Sequence, residues 1–287
     1  MKPIENVSSS LQLNNYGVSP SYFFSAYGTD FTVEHYIEGI KTLPRLGFKS
    51  FQGEIFKPQE VENWYNKKEE LYRVYKQENL TMSLFVAHFL IQSTRTLKDL
   101  KSTWGYDELK KVIEIVKTFS EVTTIVIPIS PYEYNGEEYS EIHTALLNRF
   151  DTYSHIAKDA DLNIALEIIP RSIIGGSDGL LRLIDSLKAT NLGYNLDTGH
   201  AYCSGEVMSC LPLKLKGKIF GTHLKDNFGT DNLALPPGKG NIDFKTLLCN
   251  LQKSGYEGSL DFEIGSSKED LFKDYKFGLA YLKSINT

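Results

Sequence analysis

The sequence predicts an α/β protein folded as a (β/α)8 barrel in a single domain. Three observations carry that expectation. Strand-like and helix-like segments alternate eight times over 287 residues, and helices between strands bring the chain back for parallel pairing. No linker rich in Pro, Gly or Ser and no low-complexity tract divides the units. An open Rossmann-like sheet, the alternative, would carry a Gly-x-Gly-x-x-Gly turn after an early strand, and none occurs.

Taken in order, residues 1–18 are rich in Ser and Asn and lack periodicity, so they read as a loose arm ahead of a barrel spanning 19–287. Ser21 to Tyr27 is expected as the first strand. Thr32 to Leu46 has helical spacing, with Ile37, Ile40 and Leu43 near one face. A strand from Ser50 to Phe56, a helix from Glu60 to Glu78 and a strand from Thr81 to His88 follow. A helix from Tyr106 to Phe119 opens with Asp107 and Glu108 at its positive end. Thr123 to Pro128 is β-branched without polar alternation, which predicts a strand buried on both faces. Then come a helix (Glu141 to Asp159), a strand (Asn163 to Pro170), and a helix (Ser177 to Ala189) with Ser177 expected as its cap. The strand ending at Asp197 leads to a short helical segment, Leu211 to Leu215. A strand from Lys218 to Asp226, a helix from Asp243 to Ser254 capped by Asp243, a strand from Ser259 to Ile264, and an amphipathic helix from Leu271 to Ile285 complete the chain.

Composition narrows the function classes. The formal net charge is -5 and no basic stripe is present, which argues against broad attraction to nucleic acid. No apolar run reaches membrane-spanning length, and residues 1–20 hold no signal-peptide core. Cys203, Cys210 and Cys249 are too few and too unevenly spaced for a disulfide framework and read as free thiols. The expectation is a cytoplasmic protein with no membrane partner.

The strand ends carry the chemistry. Glu54, His88, Glu167, Asp197 with His200, His223 with Lys225 and Asp226, and Glu263 all fall at or near carboxyl ends of strands otherwise made of Ile, Leu, Phe and Val. An ionised carboxylate on a buried strand is costly unless paired or bound to a metal. Glu167, Asp197, His223 and Glu263 together give three carboxylates and one imidazole aimed at one mouth. That oxygen-rich set suits one divalent cation of Mn or Mg type, with Co or Zn possible. Each residue also has a structural reading: Asp197 as a helix cap, Glu167 and Glu263 as paired buried acids, His223 bonded to backbone. Glu54 and His88 are balanced between substrate contact and structural partnership. His35, His143 and His155 fall on helices and read as surface or packing residues, Trp104 as packing, Asp226 and Asp231 as supporting loop residues. Lys225 and Lys239 either meet a substrate phosphate or are solvated.

The segments Ala165-Leu-Glu167-Ile-Ile-Pro, Asn195-Leu-Asp197-Thr-Gly-His200, Thr222-His223-Leu-Lys225-Asp226, Pro236-Pro-Gly-Lys-Gly-Asn-Ile-Asp243-Phe and Asp261-Phe-Glu263-Ile resemble those of the xylose-isomerase-like TIM-barrel superfamily. That group includes sugar isomerases and epimerases, inosose dehydratase-like proteins and AP endonucleases. The resemblance implies that Glu167, Asp197, His223 and Glu263 bind one divalent metal. It further implies that Glu167 and Glu263 form an acid/base pair moving a proton on a ketose or keto-polyol, and that His200 contacts a substrate oxygen. His88, Glu54 and Lys225 complete the expected substrate contacts. A small-molecule sugar is the expected partner, and a homo-oligomer is open. Dehydration, phosphodiester cleavage and non-catalytic sugar binding are the alternatives. The endonucleases use an Asp-x-His here, whereas this chain reads Asp231-Asn-Leu233. A leucine cannot be a ligand, which puts a full trinuclear site in doubt.

Overall fold

A computed structural model of the chain describes residues 13–286. Its eight strands are β1 (Tyr16–Val18), β2 (Ser50–Glu54), β3 (Thr81–Val86), β4 (Thr124–Ile129), β5 (Asn163–Ile168), β6 (Leu192–Asp197), β7 (Ile219–His223) and β8 (Leu260–Phe262). They pair in parallel in chain order, and β1 bonds to both β2 and β8. Between β7 and β8 the Leu224 amide donates to the Asp261 carbonyl at 2.7 Å and the Glu263 amide to the Leu224 carbonyl at 2.9 Å, which closes the ring. The fold is a (β/α)8 barrel, as the alternation of elements predicts. Among the described residues no helix is long and apolar enough to cross a membrane.

Helices cover the outside. In the helix Tyr106–Val116, Leu109, Val112, Ile113 and Val116 are buried at helical spacing while Lys110 and Glu114 face water. All six residues of β4 are buried, as expected of a strand between two layers. Leu84, Val86, Val126 and Ala165 form a separate apolar cluster. The strand period of two places it on the inner face, apart from the main core beneath the helices.

The first unit differs from expectation. Ser21–Tyr27 is a helix, not a strand. Pro20 sits at its N-cap with φ -55° and ψ -22°, already helical, and the Ser19 hydroxyl accepts from the Ser21 amide at 3.2 Å. The Phe24 carbonyl accepts from the Gly28 amide at 2.8 Å, the bond that closes the helix. The first strand is instead Tyr16–Val18, so the barrel begins within the stretch assigned to the arm and the boundary at residue 18 is corrected. Residues 1–12 of that expected arm lie outside the described residues. Three residues centred on a glycine carry no local strand signal. Their conformation is imposed by partners far along the chain, such as Leu260, whose amide donates to the Asn15 carbonyl at 2.8 Å.

Other boundaries shift for local reasons. Thr32 to Leu46 breaks into Val33–Gly39, a 3-10 turn at Ile40–Thr42, and Leu43–Leu46, with Pro44 unable to continue the ladder and Gly47 closing at φ 91°. The strand expected to reach His88 ends at Val86, and His88 opens a 3-10 segment, His88–Thr94. Ser177 is not the cap of its helix. That place belongs to Gly176, and Glu206 accepts from the Ser177 amide at 2.6 Å. Asp243 caps as expected, accepting from the Thr246 amide at 3.1 Å.

A side chain on Gly17 would collide with the barrel interior: a Cβ there lies 2.0 Å from Asp261 Oδ1 and 2.3 Å from Ser50 Oγ. Gly17→Ala should therefore lower stability by about 1–3 kcal/mol, read as a reduced urea midpoint at unchanged slope. An unchanged midpoint would contradict the placement of this segment in the sheet.

Candidate metal centre and active site

Parallel strands deliver their carboxyl ends to one rim. Glu167 is the penultimate residue of β5, Asp197 ends β6, His223 ends β7, and Glu263 follows β8. Asp197 and His223 are register partners. The four residues each offer a ligand atom, and these atoms all lie within 4.8 Å of one another. His223 Nδ1 is 2.5 Å from Glu263 Oε2, 3.3 Å from Glu167 Oε2 and 3.9 Å from Asp197 Oδ2. Glu167, Asp197 and His223 are buried and Glu263 is half-buried.

Each residue of the stretch from Asp197 to His200 has a distinct part. Asp197 is both cap and cluster member: Oδ1 accepts from the His200 amide at 2.8 Å, while Oδ2 faces the other carboxylates. Thr198 Oγ1 donates to the Lys225 carbonyl at 2.6 Å and accepts from its amide at 2.9 Å. Gly199 leaves room for the Lys225 stem, because a Cβ there would sit 2.6 Å from Lys225 Cε. His200 turns Nδ1 to Glu167 Oε1 at 3.2 Å and Asp197 Oδ2 at 3.1 Å, and its Nε2 lies 3.2 Å from Asn232 Nδ2.

Lys225 is corrected. It is not solvated: its side chain is 1% exposed, and its ammonium lies 2.8 Å from both Asp197 Oδ2 and Glu263 Oε1. Lys239, by contrast, lies over the Phe277 ring at 4.4 Å. Asp226 is a loop clamp, accepting from the amides of Asn227, Gly238, Gly240 and Ile242 at 2.8–3.0 Å.

Glu54 and His88 form an ion pair at 3.2 Å. They share the walls of a cavity of about 300 Å³ with Glu167, His223 and Glu263, beneath Phe24, Phe56 and Ala234. His200 and Asn232 line a second cavity of about 510 Å³, together with Arg171. His35, His143 and His155 lie on helices and belong to neither cavity. The three cysteines are free.

The electrostatics follow from crowding. Burial opposes charge on Glu167, but the His223 and His200 imidazoles outweigh it and hold Glu167 well below the usual carboxylate range. Burial likewise opposes charge on Glu263, and Lys225 and His223 bring it down. Asp197 is pushed up, mainly by burial, with His200 and Lys225 only partly offsetting it. Burial disfavours the charged forms of Lys225 and His223, yet the surrounding carboxylates raise both, His223 well above 6.5. Burial also raises Glu54, while His88 is raised by Glu54 against its own burial.

The residues fit a divalent cation. Asp197 Oδ2 and His223 Nδ1 are buried and, although charged neighbours stand within 4 Å, neither has a well-directed hydrogen bond. The Lys225 ammonium balances one of the three carboxylates. Two negative charges then remain, the charge a divalent ion neutralises once His223 is neutral.

Residues 40–285 match the model of a family described as xylose isomerase-like TIM barrel. The chain belongs to that family. An uncharacterised protein of Methanocaldococcus jannaschii is 31% identical over 176 residues, covering 58% of this chain and 59% of that protein. An inosose isomerase of Halalkalibacterium halodurans is 27% identical over 172 residues, covering 56% of this chain and 60% of that protein. The matched stretch thus spans about three fifths of either curated relative. Among solved structures, a D-allulose 3-epimerase from Methylomonas sp. in complex with D-allulose superposes with a TM-score of 0.75 at 17% identity, over 95% of this chain and 97% of that one. An IolI protein with a bound zinc atom gives 0.72 at 17% identity, over 95% and 99%. At such identities the structures speak for the fold.

Sequence reasoning overlooked four residues beside the cluster: Gln52, Asn195, Asn232 and Asp261. Three of them stand two positions before Glu54, Asp197 and Glu263. The strand period of two was the signal that could have found them.

In the metal-free protein His223 is an imidazolium at neutral pH, because its pKa is raised well above 6.5. A cation taken up at Nδ1 must displace that proton. Affinity for Mn2+ should therefore rise about tenfold per pH unit through the neutral range and level off above the raised pKa. Titration calorimetry in two buffers of different ionisation enthalpy should show about one proton released per ion. A pH-independent affinity would contradict this.

Proposed function

We propose that the protein is a divalent-metal-dependent isomerase or epimerase of ketoses or cyclic keto-polyols, moving a proton on the carbon beside a carbonyl through an enediolate. The observation that carries this reading is the convergence of Glu167, Asp197, His223 and Glu263 within 4.8 Å, three of which, Glu167, His223 and Glu263, line a cavity of small-molecule size. The kinship with an inosose isomerase and the fold shared with a D-allulose 3-epimerase support a sugar or polyol substrate.

Glu167, Asp197, His223 and Glu263 would hold the ion. Three carboxylates to one imidazole favour Mn2+ or Mg2+, and the zinc of the IolI structure keeps zinc among the candidates. A bound divalent ion would supply stabilisation of the negative charge that develops on the substrate oxygens. The proton is moved by the chain itself. Glu167 and Glu263 are held ionised by their basic neighbours, so either can take a proton, and they enter the cavity from different strands. Removal by one and return by the other inverts a carbon; return to the neighbouring carbon isomerises the sugar. Glu54 and His88 face the same cavity and would bind substrate hydroxyls, and His200 would meet a substrate oxygen beside the ion. Lys225 would hold Asp197 and Glu263 rather than substrate. Phosphodiester cleavage is less well supported, because Leu233 offers no ligand and, among the described residues, one metal-type cluster forms.

Incubation with candidate ketoses and Mn2+ in deuterated water should place label on the carbon next to the carbonyl. Glu263→Gln at saturating metal should slow that exchange by about 10²–10⁴-fold. Full turnover in that variant would remove Glu263 from proton transfer, and an absence of label with every ketose bound would favour a non-catalytic sugar-binding barrel.

A further inference from the structure

We infer that Gln52 and Asp261 form a relay beneath the cluster that fixes which nitrogen of His223 faces it, and thereby set the site's affinity for a divalent cation. The inference rests on the reading of Glu167, Asp197, His223 and Glu263 as a cation site.

The two nitrogens of His223 meet different partners. Nδ1 faces the three carboxylates. Nε2 lies 2.8 Å from Gln52 Oε1. A neutral imidazole presents a lone pair at Nδ1 only when its hydrogen sits on Nε2. A carbonyl oxygen at Nε2 enforces that arrangement, because it can only accept.

The orientation of the Gln52 amide is decided at its other end. Gln52 Nε2 donates to Asp261 Oδ2 at 2.8 Å and points to the Thr222 carbonyl at 3.4 Å. Asp261 Oδ2 also accepts from Ser83 Oγ at 2.9 Å and Ser259 Oγ at 2.6 Å, so it is anchored as an acceptor. Turning the amide over would set its oxygen against those acceptors. It would also point its NH2 group at His223 Nε2, which would then have to accept. The imidazole hydrogen would move to Nδ1, where it blocks a cation. Gln52 and Asp261 are fully buried, so water cannot relieve the clash. The lack of a side chain on Gly17 is what admits Asp261 to this position. Asp261 thus reaches the cluster by hydrogen bonding through Gln52, and both are positioning residues.

The test uses the full chain, Mn2+ for affinity and Zn2+ as a diamagnetic probe. Gln52→Met keeps the length of the side chain and removes both hydrogen bonds. Its Mn2+ affinity should fall about 10- to 100-fold, while the thermal midpoint of the metal-free protein moves little. A merely structural role would shift that midpoint and leave the affinity alone. In the Zn2+-loaded wild type with 15N-labelled histidine, the signals that vanish in His223→Asn should show the hydrogen on Nε2, downfield and slow to exchange. Asp261→Asn, which still accepts from Gln52, should lose less affinity than Gln52→Met. Equal affinity in Gln52→Met overturns the relay and leaves the cation site standing, whereas a hydrogen found on Nδ1 of loaded wild type overturns the relay and removes His223 Nδ1 from the ligand set. A wild type that takes up no divalent ion overturns both.

Discussion

Gathering like charges in a dry place is the constraint that organises this molecule. Glu167, Asp197 and Glu263 are brought within 4.8 Å of one another and of His223. Carboxylates so close and so poorly hydrated repel one another and lose solvation, a cost of several kcal/mol per ion unless counter-charge is supplied. Lys225 supplies one counter-charge, and two imidazoles stand beside the carboxylates. Lys225 bridges Asp197 and Glu263, His200 bridges Asp197 and Glu167, and His223 stands among all three. Against the three carboxylates the Lys225 ammonium balances one charge, and two negative charges remain once His223 is neutral, which gives the site a physical reason to take up a divalent cation.

The barrel makes this arrangement possible. Eight parallel strands send their carboxyl ends to one rim, so residues 96 positions apart in the chain, Glu167 and Glu263, become neighbours without any local interaction between them. The strand period of two then stacks a second polar layer under the first. Gln52 lies beneath Glu54, Asn195 beneath Asp197, and Asp261 beneath Glu263. In the upper layer Glu54 and Glu263 line the cavity, while Asp197 is fully buried. In the lower layer Gln52 meets His223, and Asp261 accepts from Gln52.

What could be read in advance followed the range of the forces involved. Hydrophobic patterning in β4 and in the helix Tyr106–Val116 is local and strong, and those elements lie where the pattern places them. An acid or imidazole ending an apolar strand is also a local signal, and four residues it marked meet in space. β1 was hidden because Tyr16–Val18 is a strand only by virtue of Ser50, Phe51 and Leu260 to Phe262 beside it. Ser21–Tyr27, rich in aromatics, imitates a strand, and the proline before it decides for helix. Lys225 misled for a different reason. Its charge suggests solvent or substrate, whereas its burial depends on the gap left by Gly199, a contact no pattern in either segment reveals.

The central claim is that these four side chains enclose a single divalent ion. Anomalous diffraction at the manganese edge from crystals grown with Mn2+ tests it most directly. One peak per chain, within about 2.0–2.6 Å of an oxygen of Glu167, Asp197 and Glu263 and of His223 Nδ1, is the predicted result. No peak at the rim, or a peak bound through other residues with these four left apart, would contradict it.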